Sequence, residues 1–378
     1  MKYQICNRCV MDTSDPDIQF DENGNCNHCN DFISNTSKII YQGKKSDDQL
    51  KKLIEKIKNS GKKNKYNCLI GVSGGVDSSY VAYLLKKYEL SPLAVHVDNR
   101  WDSKEAVENI RNICSKLGID YESYVLDWKE FKDIQLSVLK SSISEVEMPT
   151  DIAITSVLHK IASKYNIKYI IGGGNVATEG ILPASWFYNP KDSKLLKSIQ
   201  KNFGSMRVNT FPFFDYKMEM YYKLIRGIRI VYLLNYTPFS KENAIQVLQE
   251  NLEWRSYGGK HHESKYTSFV QSYLQPVKFN LDYRRATFST QICAGNTTRE
   301  SAIIQLKKSS FNSEKIDINK EYVCKKLSIT IDEFERIMNL PVKSYLDYPN
   351  DKEKLEFIYR VRPLHKSTQI IPIITPIQ

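Results

Sequence analysis

The chain has 378 residues, 41% hydrophobic and 26% charged, the balance of an ordinary enzyme with chain enough for two or three domains. Its 54 basic and 43 acidic residues give a formal charge of +11, which favours anionic partners, although a general lysine bias explains it as well. No apolar run approaches the ~20 residues of a membrane span and no apolar segment follows a basic start, so a cytoplasmic protein is expected.

The first element is marked by cysteine. Four of the eight cysteines fall in the first 30 residues, as Cys6-x-x-Cys9 and Cys26-x-x-Cys29. Thiolates two residues apart form a tight knuckle, and two knuckles supply a tetrahedron for zinc. Redox pairs and an iron–sulfur cluster are the alternatives, and His28 inside the second knuckle could replace a cysteine. The intervening Asn23-Gly24 is a hairpin signal, which fits a zinc ribbon over residues 1–35. A polar linker and an amphipathic helix follow over 36–64, with Leu50, Leu53, Ile54 and Ile57 as its apolar stripe.

Strand and helix patterns then alternate. Strands are expected at 68–71, 93–98, 121–126 and up to Gly174, with helices over 77–88, 103–117, 129–143 and 151–165. Such alternation argues for a parallel sheet covered by helices on both faces. Ligands in such sheets sit at the strand carboxyl ends, where Ser73–Ser79, Asp98 and Gly172–Asn175 fall. From about 176 to 250 the alternation stops and aromatics crowd in, which reads as an insertion. A helical region follows, with Thr297/Glu300 and Thr330/Glu333 as capping boxes opening helices over 298–308 and 331–339.

The stretch Ser73-Gly74-Gly75-Val76-Asp77-Ser78-Ser79 joins a strand to a helix, an arrangement that binds anions. It lacks the lysine of a Walker A loop. Gly172–Ala177 (GGGNVA) matches a dinucleotide fingerprint only weakly, because it comes late in the unit. Gly74 and Gly75 let phosphate oxygens approach the backbone, and Ser73, Ser78 and Ser79 add hydroxyl donors. Asp77 would repel bare phosphate, so it either accompanies Mg2+ or caps the helix.

This S-G-G-x-D-S-S loop resembles the pyrophosphate loop (PP-loop) of N-type ATP pyrophosphatases. The resemblance implies an α/β fold, with a five-stranded, parallel, doubly wound sheet of the HUP (adenine nucleotide alpha-hydrolase-like) type. It also implies cleavage of ATP to AMP and pyrophosphate. Val97 and Asp98 match the position near the adenosine, and Gly173, Gly174 and Asn175 the loop that closes the nucleotide site. The segments CNRCVMDTSDPDIQFDENGNCNHC (6–29) and 253–303 further resemble bacterial N-acetyl sugar amidotransferases of surface-polysaccharide (lipopolysaccharide, O-antigen) biosynthesis. In that family an acetamido group becomes an acetamidino group. What this implies here is adenylation of the acetamido oxygen of an N-acetylated, nucleotide-linked or acidic sugar, then displacement of AMP by ammonia.

Lys260, His261, His262 and Glu263 stand together beside two glycines, as a pentavalent phosphate or an incoming ammonia would require. A second metal site and a solvated loop are the alternatives. With Asp77 they are the candidate catalytic residues. Glu179, Trp254, Tyr257, Lys278, Asp282, Arg284 and Arg285 are the candidate substrate contacts. The expected divisions are 1–35, 36–64, 65–180 (ATP pyrophosphatase), 181–310 (substrate-binding and catalytic) and 311–378 (helical), with ATP, Mg2+ and Zn2+ as cofactors.

No glutaminase machinery is evident, so the resemblance implies separate glutaminase and cyclase-like subunits, akin to those of histidine biosynthesis, as the ammonia source. The competing reading is a PP-loop tRNA-modifying thiolase, with an inactive nucleotide-binding module as a third. The cysteines outside the ribbon are isolated, and basic clusters interleaved with aromatics are not evident, so nucleic acid is not expected.

Overall fold

Residues 68–71 are apolar apart from the final glycine and all four are buried, as the central strand of a sheet covered on both faces must be. In the computed structural model, which describes residues 2–256, 263–311 and 313–361 (backbone alone at 313–315 and 359–361), this segment is β1. The other strands are β2 (Pro92–Asp98), β3 (Asp120–Val125), β4 (Tyr169–Gly172) and β5 (Arg229–Tyr232). They form one sheet in the order β3-β2-β1-β4-β5. Every pairing is parallel, with Ile70 opposite Ala94 on one side and Ile171 on the other.

Alternate residues of each strand enter opposite cores. Leu69, Leu93, Val95 and Ile170 pack with Phe131, Ile134, Ile152 and Leu158, from the helices Trp128–Ser141 and Met148–Lys164. Ile70, Ala94 and Ile171 pack on the other face with Leu50, Val81, Ile110 and Leu248. The chain runs outward from β1 through β2 to β3. It then returns over the sheet by way of Met148–Lys164 to place β4 on the far side of β1. The β1 and β4 loops therefore part at their carboxyl ends and leave a crevice between them, which is where such sheets bind ligands.

The helices and first four strands lie where hydrophobic periodicity placed them. The fifth strand is a finding of the structure: β5 lies at 229–232, beyond the 180 boundary and inside the stretch read as an insertion. It is short and only partly buried, so it carried little periodic signal. Thr330 caps Ile331–Met338 as expected, accepting from the Glu333 N–H at 3.1 Å. The Glu333 carboxylate turns instead toward Lys140, 3.4 Å away. At the other expected box the cap is Thr298, not Thr297, and it opens the helix Arg299–Leu306.

The N-terminal residues form a separate small core in which Cys6, Cys9, Met11, Cys26, Cys29 and Phe32 pack with Val176, Ile181, Trp186 and Ala286. This core joins the segment after β4 to the helix Tyr283–Cys293. Among the described residues no helix is long and apolar enough to cross a membrane.

Candidate functional site

The loop after β1 is built on one backbone requirement. Gly74 has φ +78°, and a Cβ there would lie 2.3 Å from the Ala106 carbonyl oxygen. No L side chain fits, so the loop can pass under the helix Lys104–Leu117 only with glycine. The Gly74 carbonyl is then clamped by Asn109 Nδ2 at 3.2 Å and the Trp254 indole N–H at 3.0 Å. Asn109 also accepts from the Arg255 N–H at 2.8 Å. Trp254, a candidate substrate contact, is thus buried and braces the loop.

Within the loop the Ser73 and Ser78 hydroxyls lie 3.2 Å apart, and the Gly75 N–H donates to Ser73 Oγ at 3.2 Å. Gly75 is the N-cap of the helix Val76–Lys87 and supplies no side-chain cap; Asp77 sits in the first turn and is not the cap residue. Ser79 Oγ is buried and has no hydrogen-bond partner among the described residues. A helix N-terminus without a side-chain cap, beside an orphaned buried hydroxyl, suits the oxygens of a pyrophosphate.

Gly173 lies across the crevice, where a Cβ would come within 3.0 Å of the Ser78 nitrogen. Two residues on, Asn175 caps the next turn through Thr178 N at 2.9 Å, and its buried Nδ2 has no partner among the described residues. The Val176 N–H is taken by Asn235 Oδ1 at 2.8 Å. Glu179 Oε2 accepts from the Asn175 N–H at 3.4 Å. Asp98 ends β2 and accepts from the Arg100 N–H at 2.7 Å, while Val97 is buried in the wall of the adjoining cavity. The structure therefore brings Ser73–Ser79, Val97, Asp98 and Gly173–Asn175 to one end of the sheet.

That cavity is walled by Gly71, Val72, Ser73, His96, Thr150 and Glu263, among others. Glu263 reaches it because residues 263–265 pair with the loop after β2. The Ser103 N–H donates to the Glu263 carbonyl at 2.8 Å, and the Lys265 N–H to the Trp101 carbonyl at 2.9 Å. His96 went unnoticed in the sequence. Its Nδ1 lies 2.9 Å from the Val72 carbonyl and its Nε2 3.1 Å from Asp102 Oδ2. Burial, the largest influence, opposes the charged ring. The hydrogen bond and charge of Asp102, with the Val72 carbonyl and Asp98, outweigh it and raise the His96 pKa. A histidine in a strand carries no functional signal until the fold sets Asp102 against it.

Tyr257, Lys260, His261 and His262 lie outside the described residues. The remaining candidate substrate contacts have structural partners. Lys278 donates to the carbonyls of Ile337, Met338 and Leu340 at 2.7–3.0 Å, closing the end of the Ile331–Met338 helix. Arg284 pairs with Asp282 at 2.7 Å. Arg285 pairs with Asp12 at 2.9 Å and donates to the Val10 carbonyl. No contact described for these four is with residues 73–79.

Arg285 instead fastens the cysteine module, as does Arg299, which donates to the Cys6 and Cys9 carbonyls at 2.9 and 3.0 Å. The sulfurs of Cys6, Cys9, Cys26 and Cys29 all lie within 4.8 Å of one another and are buried. Zinc–sulfur bonds of about 2.3 Å place tetrahedral sulfurs about 3.8 Å apart, so the set fits zinc. The N–H groups of Cys9 and Cys26 approach Cys6 Sγ at 3.4 and 3.1 Å, which orients that sulfur. The His28 ring lies 2.5 Å from Asp15, so it is held by that carboxylate.

Metal analysis of the purified protein should find about one zinc per chain, and Cys9→Ser should lower thermal stability far more than nucleotide affinity. Absence of zinc, or iron with visible absorbance, would contradict this assignment. The His96–Asp102 pair favours the imidazolium, so its stabilisation is full below the ordinary histidine value of about 6.5 and fades as pH rises through the higher folded value. Asp102→Asn should therefore cost about 1–2 kcal/mol more in denaturant unfolding near pH 5 than near pH 9. Equal losses at both pH values would show that the pair is not charged.

Two family profiles match this architecture. One described as "PP-loop domain" covers residues 43–141. The other, "LPS biosynthesis protein WbpG-like, C-terminal domain", covers residues 263–362. An uncharacterized protein of Methanocaldococcus jannaschii is 32% identical over 157 residues, 37% of this chain and 55% of that protein. A tRNA-specific 2-thiouridylase of Fusobacterium nucleatum is 33% identical over 119 residues, 29% of this chain and 34% of that enzyme. The chain thus spans about half or less of these relatives. The NMN synthetase of Francisella tularensis aligns at TM-score 0.30 and 16% identity, over 58% of this chain and 95% of that one; at that score the likeness carries no argument. The chain thus carries a PP-loop domain and a WbpG-like C-terminal domain, the pair that matches the family its sequence resembles.

Proposed function

We propose that the protein is an ATP-dependent amidotransferase that converts the acetamido group of an N-acetylated sugar into an acetamidino group for bacterial surface-polysaccharide synthesis. One observation carries the reading. Glu263 and Ser264, the first residues of the WbpG-like domain, wall the same cavity as Gly71–Ser73 of the PP-loop domain. A substrate held by the second domain would thereby meet the nucleotide held by the first.

In the first step the acetamido oxygen attacks the α-phosphorus of ATP. The bond from that phosphorus to the bridging oxygen breaks, and pyrophosphate leaves on the 73–79 loop. Magnesium would neutralise the phosphates there, with Asp77 as the carboxylate beside it. In the second step ammonia adds to the imidate carbon and gives up one proton to a base, and the carbon–oxygen bond breaks to release AMP and leave the amidine. An amide oxygen is a poor leaving group and AMP a good one, which is the reason for spending ATP. Glu263 and the neighbouring Lys260, His261 and His262 are the candidates for the proton and phosphate work. Zinc in the cysteine module serves structure.

A sulfur-transfer reading, prompted by the thiouridylase relatives, finds no activated thiol outside the cysteine module: half-buried Cys293 packs against that module, where its interaction with Cys29 and burial raise its pKa. Cys68 is fully buried at the start of β1 with its pKa raised by burial, and burial pushes Cys114 and Cys324 up to about 11. Ammonia would come from a separate glutaminase and a cyclase-like subunit, delivered out of bulk water because the adenylated amide is hydrolysable.

With Mg2+, ammonium and an N-acetylated nucleotide sugar, the products should be AMP, pyrophosphate and a sugar with one oxygen exchanged for an imino group. Formation of ADP and phosphate would rule the mechanism out. Asp77→Ala and Ser79→Ala should each lower turnover by about 100-fold or more. Glutamine should support the reaction only when a glutaminase partner is added; glutamine-dependent turnover by this chain alone would overturn the partner assignment.

A further inference from the structure

The turn Ser144-Glu145-Val146-Glu147, which leads into the Met148–Lys164 helix, carries buried acceptors that the steps above leave unused. Glu145 Oε2 and Asp151 Oδ1 are shielded from solvent and have no hydrogen-bond partner among the described residues. Gln275 Oε1 and the Tyr266 hydroxyl are in the same condition, in side chains 4% and 1% exposed. Buried polar atoms without partners are costly, and four in one neighbourhood call for a ligand.

These groups converge. Gln275 donates to the Ser144 carbonyl at 3.2 Å and follows a π-helical turn, Val270–Leu274, of the kind that re-aims a side chain at functional sites. Tyr283, whose hydroxyl donates to the Trp186 carbonyl at 3.1 Å, lies within electrostatic reach of Gln275, Glu145, Glu147 and Asp151. Tyr266 stacks on Trp101 with centroids 4.9 Å apart and feels the charge of Glu147. The pocket also adjoins the nucleotide cavity. Ser264 lines that cavity and bonds Thr267, whose hydroxyl donates to Glu147 Oε2 at 2.6 Å. Thr150, beside Asp151, lines it as well.

The donor set selects the ligand. Gln275 Oε1 only accepts, and the two carboxyl oxygens only accept once ionised, so the occupant that satisfies all three together brings N–H donors and positive charge. A directly coordinated metal is disfavoured, because among the described residues only the four cysteines gather three or more ligating atoms within 4.8 Å of one another. A planar cation with N–H groups spread across both ends bridges more widely spaced oxygens. Burial holds the Glu145 pKa up to about 7, and burial with the Glu147 charge raises the Asp151 pKa well above the usual carboxylate value. Carboxyls in that condition gain most from a cation that stays charged throughout.

We propose that the pocket formed by Glu145, Asp151, Gln275 and Tyr266 binds an amidinium group, the acetamidino end of the product, and so seats the reacting end of the sugar against the nucleotide cavity. The assignment rests on the amidotransferase reading for its substrate, but the pocket can be tested without turnover.

The test uses the full-length protein, with acetamidinium chloride as probe and acetamide, ammonium, sodium and magnesium chlorides as controls at equal ionic strength. Thermal shift and calorimetry should show binding of acetamidinium alone. Glu145→Gln and Asp151→Asn, which keep shape and remove charge, should each weaken it at least about tenfold while leaving ATP binding intact. Failure to bind acetamidinium, equal binding by both variants, or a response to ammonium or magnesium in its place would overturn the proposal. If acetamidinium binds as expected and no N-acetylated sugar is amidinated, the reaction assignment fails and the pocket stands. If amidination proceeds and acetamidinium neither binds nor competes, the pocket assignment alone fails.

Discussion

The site depends on the close approach of Gly74 to the backbone of Ala106. A strand that must end at a phosphate and hand over to a helix has little room, and here the loop passes so near the Lys104–Leu117 helix that a single methyl group would meet a carbonyl oxygen. This forces a positive φ, turns the Gly74 carbonyl toward Asn109 and Trp254, and leaves the N-terminus of the Val76–Lys87 helix open to the crevice. The same clamp draws residue 254 of the later chain onto the loop. Loop geometry and the placing of the C-terminal region are therefore one constraint.

The cysteine module acts at a distance from that loop. Its carbonyls are held by Arg299, its Asp12 by Arg285, and its Val10 N–H by Ser289 Oγ at 3.2 Å, so it sits on the C-terminal helices. It also reaches the segment after β4, where Ser185 Oγ donates to Asp15 at 2.6 Å. Zinc in this position would fix the angle between the loop after β4 and the Tyr283–Cys293 helix. Arg285, which looks like an anion ligand in sequence, is taken up by this assembly, while Arg284 is held by Asp282 and the Lys308 carbonyl.

Charge is distributed unevenly at the sheet's carboxyl end. The loop after β1 offers hydroxyls and a helix N-terminus, which suit phosphate. The same cavity is walled by Glu263 and Asp102, carboxylates that suit a cation or a proton in transit. The proposed adenylation and displacement by ammonia would use both environments, since an anion is delivered to one end of the group and a cation forms at the other.

Much of this was legible in the chain alone, for local reasons. Ser73–Ser79 reads as a phosphate loop because glycine, hydroxyl and helix start are adjacent in sequence, and the paired Cys-x-x-Cys spacing reads as a metal site because each knuckle is a four-residue turn. Hydrophobic patterning placed β1, β2 and β4 because they are buried and bounded by turns, and β3 because its half-buried residues alternate with exposed ones. What lay beyond it depends on contacts across long separations. β5 is short and half-buried, so its pairing with β4 leaves no period to detect. His96 and Asp102, and Asn109 and Trp254, have ordinary surroundings until the fold sets them together. The same holds for Lys278 and Arg285, whose partners are backbone carbonyls and a carboxylate far away in the chain. Sequence alone determined the type of chemistry, since that resides in contiguous motifs. Only the tertiary structure decided which charged side chains face the cavity, because a side chain's partner is set by packing and not by its neighbours in the chain.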